Sequence, residues 1–113
     1  MNFKNMEQKL LAETYIKGLE IRVKAIKSEL DIFYNKNMFS KNMKEVIVLF
    51  KETFGLKTYY FRYNYCASYP NEITDVNFIK YCKSKTIEIC SDLTKHEESI
   101  FLKFLNASQN SDD

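Results

Sequence analysis

Apolar residues in the N-terminal third of the chain recur at Ile16, Leu19, Val23, Ile26, Leu30 and Phe33, in alternating steps of three and four after Ala12. This is the a/d spacing of three successive heptads, and it predicts an amphipathic helix over residues 4–34. Glu13 with Lys17 and Glu20 with Lys24 add i,i+4 pairs in the favourable order on its polar side. Gly18, inside the helix, costs about 1 kcal/mol relative to alanine. A helix of roughly 30 residues is about 45 Å long, more than a compact domain of this size requires. The stripe Ile16, Leu19, Val23, Ile26, Leu30 and Phe33 is therefore a candidate interface with a second chain. An intramolecular core helix covered by the remaining helices accounts for the same spacing. In a parallel homodimer Arg22 (g) would face Lys27 (e) of the other copy, a repulsion that favours an antiparallel or heterotypic partner.

The segment from Tyr34 to Ser40 breaks this pattern. Ser40 is a candidate N-cap for a second helix with Met43, Val46, Ile47, Phe50 and Phe54 on one face. Gly55 and Leu56 then fit the C′ and C″ positions of a Schellman ending. A buried strand over residues 45–50 competes with the helix, which the longer stripe favours. Tyr59, Phe61, Tyr63 and Tyr65 alternate with Tyr60, Arg62 and Asn64, the period of a half-buried strand, and Pro70 and Asn71 close it. Thr74 is placed to cap a short third helix with Val76, Ile79 and Cys82 inward. Lys85 to Cys90 alternates again as a second strand, and Thr94 with Glu97 forms a capping box that opens a last helix reaching Ala107. The expected order is ααβαβα, a helix-rich α+β fold in one domain, residues 1–113, with a compact α+β part at 40–107 and a polar tail at 108–113.

Composition narrows the class. A chain of 113 residues that is 45% hydrophobic, with two glycines and one proline, is too apolar and regular for disorder and long enough for one core. A formal charge of +2 lacks the basic excess of a nucleic-acid binder. Cys66, Cys82 and Cys90 are odd in number and contain no C-x-x-C pair, which reads as buried, reduced thiols in a cytoplasmic protein. No apolar run approaches the roughly 20 residues of a membrane span, and the N-terminus lacks a signal-peptide pattern. The sequon Asn106-Ala107-Ser108 reads as an exposed polar helix end.

No catalytic constellation emerges. His96 is the single histidine and stands in a helix start, with nothing in the sequence to bring Cys82 or Cys90 to it. Cys82-x7-Cys90-x5-His96 lacks the paired spacing of a zinc site, glycine-rich phosphate loops are missing, and Glu97-Glu98 is an adjacent, surface-like pair. No enzyme activity, metal or cofactor is expected. The aromatic segment remains the other candidate site. Tyr59, Phe61, Tyr63 and Tyr65 share one uncharged strand face that suits a core or a small-molecule pocket, while Tyr60 and Arg62 are the candidate nucleic-acid contacts.

Leu93 to Leu105, LTKHEESIFLKFL, resembles the opening of the helix-turn-helix domain of LuxR/FixJ-type transcription regulators. The resemblance implies that Leu93 packs the start of that domain, Thr94 caps its first helix and Glu97 closes the box. The apolar run sits one residue late, and the glycine that usually ends the helix is missing, so DNA binding by this segment is not implied. Together these readings give a non-enzymatic, cytoplasmic regulatory or protein-interaction module that associates through its N-terminal helix, with itself or with a macromolecular partner it inhibits or sequesters. The alternatives are a ligand-sensing, dimerising domain of a transcription regulator and a weak nucleic-acid binder.

Overall fold

The computed structural model describes residues 3–38, 41–67 and 69–110, with side chains for 5–38, 41–55 and 69–106. The described residues form three helices: α1 (Phe3–Asn37), α2 (Met43–Ala67) and α3 (Val76–Asn110). Among the described residues there is no strand. The fold is all-helical, and the α+β order ααβαβα with its two-stranded element is overturned.

Both expected strands are helix. The segment at 43–54 is helical as favoured, but α2 does not stop at Gly55. That glycine keeps a right-handed backbone, so the Schellman ending is absent and the helix continues through Tyr59, Phe61, Tyr63 and Tyr65 to Ala67. Successive helical residues turn by about 100°, so these four positions do not share the one face that a strand would give them. Residues 85–90 lie in the middle of α3, which also absorbs the short third helix and the last one. Thr94 caps nothing: its hydroxyl donates to the Cys90 carbonyl at 3.0 Å, as Thr86 does to Cys82 at 2.6 Å and Ser91 to Ile87 at 2.8 Å. Such i−4 back-bonding satisfies hydroxyls inside a helix.

The true caps are elsewhere. Asn42 Oδ1 accepts from the Glu45 N–H at 3.1 Å to open α2, and Asp75 Oδ1 accepts from the Asn77 N–H at 2.9 Å to open α3. Asp75 thus takes the part expected of Thr74, while Ser40 lies outside the described residues. At the end of α1, Asn37 Nδ2 donates to the Phe33 carbonyl at 2.9 Å.

Contacts between α1 and α3 climb both helices together, from Gln8 with Thr74, through Asp31 with His96, to Tyr34 with Phe104. The two helices are therefore parallel, and α2 runs back between their far and near ends. α3 packs against both neighbours, whereas α1 and α2 touch much less. The result is a rod of 69 × 18 × 18 Å.

Two apolar clusters fill the seams. The larger joins all three helices and holds an aromatic nucleus: Phe33 meets Phe54 edge-on at 4.8 Å, Phe50 meets Phe104 at 5.6 Å, and Tyr34 lies 4.6 Å from Phe104. Such ring pairs contribute about 0.5–1.5 kcal/mol beyond area burial. The smaller cluster gathers Ala12, Ile73 and Cys82 where α1, the 69–75 loop and the start of α3 converge.

Gln8 locks that end. Its amide is buried, with 6% of the residue exposed. Nε2 donates to the Glu72 carbonyl at 2.8 Å, and Oε1 accepts from the backbone N–H groups of Thr74 and Asp75. One side chain on α1 thereby satisfies the loop and the N-terminus of α3. Gln8→Ala leaves two donors and one acceptor of part-buried hydrogen bonds without their partner, so stability should fall by about 1–3 kcal/mol. Urea denaturation checks this: a shift worth under about 0.5 kcal/mol would refute the lock, since that is the range of ordinary surface substitutions.

Candidate functional site

The heptad stripe lies inside the molecule. Ile16, Leu19, Val23 and Leu30 are buried, and Ile26 and Phe33 are half-buried against the larger cluster. The interface expected of these six residues is occupied by the chain's own α2 and α3. A partner reaching them would have to displace a packed helix.

The opposite face of α1 is where apolar side chains meet solvent. Leu10, Ile21 and Ile32 are 62%, 62% and 64% exposed. They are spaced by eleven residues, which is about 20° beyond three full turns, so they fall on one line with about 16 Å between neighbours. That line lies about 180° from the direction of Leu19, Val23 and Leu30. Between the aliphatic residues it carries Thr14, Ala25 and Ser28, all exposed and small, with Gly18 beside it. Single exposed aliphatics such as Val48 and Leu102 need no explanation; an aligned set opposite the core does. The heptad pattern drew attention to one side of α1, and the eleven-residue recurrence on the other side was the signal for this one.

A second feature lies between α2 and α3. Phe50, Phe54 and Phe101 floor a groove of about 370 Å³ that opens beside Gly55, with Lys51, Glu97 and Glu98 around it. The Lys51 ammonium sits 5.2 Å from the centre of the Phe101 ring.

Among the described residues, His96, Cys82 and Cys90 do not come together as a site. Tyr59, Tyr60, Phe61, Arg62, Tyr63 and Tyr65 lie in α2, with side chains outside the described residues. His96 is in the middle of α3, and its Nε2 lies 3.2 Å from Asp31 Oδ1 of α1 in a partly exposed contact. Cys82 and Cys90 are buried thiols. Among the described residues no group of histidine, cysteine and carboxylate side chains could hold a metal ion, and no helix is long and apolar enough to cross a membrane.

Comparison with protein families, with curated proteins and with solved structures finds no match to the chain.

A polar seam inside the smaller cluster is the main ionisable element of the core. Burial pushes the Tyr15 hydroxyl above the ordinary tyrosine range, opposed by its hydrogen bond with Thr86, and burial likewise raises the Cys82 thiol. Both are acids whose neutral form the fold favours, so the unfolded chain releases these protons first as pH rises. Their contribution is intact below about pH 8.5, where unfolded cysteine begins to ionise, and is lost as pH climbs through the raised folded values. The urea midpoint should therefore fall above about pH 9, and by less in Tyr15→Phe than in the parent chain. Equal falls in both would show that Tyr15 does not carry the effect.

Proposed function

We propose that the chain is a non-enzymatic protein-interaction module that associates through α1, by the outer line of Leu10, Ile21 and Ile32 rather than by the heptad stripe. The observation that carries this reading is the exposure of these three aliphatic side chains on one line opposite the core. The partner it fits is a second copy of the chain, laid antiparallel. Equal spacing makes the line self-complementary about Ile21: Ile21 meets its own counterpart, and Leu10 meets Ile32 of the second copy. Small residues at Thr14, Gly18, Ala25 and Ser28 let two helix backbones approach closely.

One charge pair fits the same orientation. With Ile21 at the centre, Glu7 comes within a residue of level with Lys36 of the second copy. Exposed pairs of this kind contribute about 0–1 kcal/mol each, so they choose orientation more than affinity. Lys17 meets Lys24 of the second copy as a like charge, which keeps the association weak and dependent on concentration. In this reading association regulates whatever shares the surface, by occupying or releasing it.

Light scattering across a hundredfold range of concentration tests the proposal. The mass should rise from one chain toward two, and Ile21→Glu should hold it at one chain while leaving the urea midpoint within about 0.5 kcal/mol of the parent, because Ile21 is outside the core. A single-chain mass at every concentration, or a dimer indifferent to Ile21→Glu, would remove this face as the interface.

A further inference from the structure

Gly55 sits inside a 25-residue helix, where glycine is less stable than alanine by about 1 kcal/mol. The fold supplies no reason for it. Its backbone is not left-handed, and a Cβ built there would meet nothing within 4 Å. What the missing side chain does is leave the groove between α2 and α3 open at that point.

The groove has a definite chemistry. Its floor is aromatic, with Phe50 and Phe54 buried in the core and Phe101 presenting part of its ring. Among the described residues its edge carries two carboxylates, Glu97 and Glu98, and the Lys51 ammonium. Lys51 already places its charge over Phe101, so the ring face accepts a cation in the absence of any other molecule. An aromatic floor beside two carboxylates is better matched by a guanidinium than by an ammonium. The planar guanidinium stacks on a ring and presents several N–H donors in its plane, whereas the ammonium is a compact, strongly hydrated point charge. A volume of about 370 Å³ suits one long side chain rather than a whole helix.

We propose that this groove is a docking site for an arginine side chain of a partner protein, which displaces Lys51 from Phe101 and meets the Glu97 and Glu98 carboxylates. The groove lies on α2 and α3, away from the outer line of α1, so the two surfaces can be filled independently.

The chain contains two glycines, Gly18 and Gly55, whose amide signals serve as a remote control and a reporter in nitrogen-15 NMR spectra. The probe is N-acetyl-arginine amide, titrated at constant ionic strength against N-acetyl-norleucine amide and N-acetyl-glutamate amide. Arginine amide alone should shift Gly55 saturably and leave Gly18 in place. Glu98→Gln should weaken that response about fivefold, the loss of one exposed ion pair, and Lys51→Ala should strengthen it by removing the internal competitor. Gly55→Ala should raise the urea midpoint. No shift at Gly55, an equal shift with norleucine amide, a weaker response in Lys51→Ala or a lowered midpoint in Gly55→Ala would each overturn the proposal.

Discussion

Everything in this fold depends on the parallel packing of α1 against α3. Two parallel helices cannot be joined by a tight turn, so the chain has to be carried back along their length, and α2 is that return. α3 then becomes the wall that both other helices share. Apolar seams alone fix such an arrangement poorly, because burial is non-directional and a helix can slide by a turn with modest loss. The buried Gln8 amide is directional. It ties α1 to the backbone of the loop and of α3 with three hydrogen bonds, and a slip breaks all of them at once. At the other end the rings of Tyr34, Phe50 and Phe104 fix the same register by shape.

The sequence carried the helices well where a stripe was long. Six a/d residues in α1 marked both its helicity and its buried side, and the run from Met43 to Phe54 marked the first half of α2. It misled where windows were short and nearly every residue was apolar or β-branched. In Lys85 to Cys90 the alternation seen over six residues dissolves when the window is widened: Cys82, Thr86, Cys90 and Leu93 follow one another in steps of four, four and three, all buried. The aromatic segment after Gly55 fits either period because rings stand at most positions. Gly55 itself read as a stop, since an isolated glycine at the end of an apolar stripe has the same appearance whether the chain turns there or continues. Nothing local could reveal Gln8, whose partners are more than sixty residues away.

The candidate surfaces were less legible than the fold. A pattern search finds the stripe that makes a helix fold, and in α1 that stripe is internal. The residues facing outward follow an eleven-residue recurrence too sparse to stand out beside it. Both glycines of the chain lie within helices, one beside the outer line of α1 and one at the aromatic groove. Together they cost about 2 kcal/mol of helix stability, a considerable share of a typical net stability of about 5–15 kcal/mol. Neither position has a backbone that calls for glycine. In the reading given above, each makes room for something outside the fold.

An odd number of long helices has a consequence for geometry at a distance. With α1 and α3 parallel, Phe3 and Asn110 stand at opposite poles of a rod 69 Å long, whereas two or four helices would return the chain to its starting pole. Anything joined to one pole would be held away from anything joined to the other by the length of the helices between them. A rod of this shape fixes the separation between its two ends.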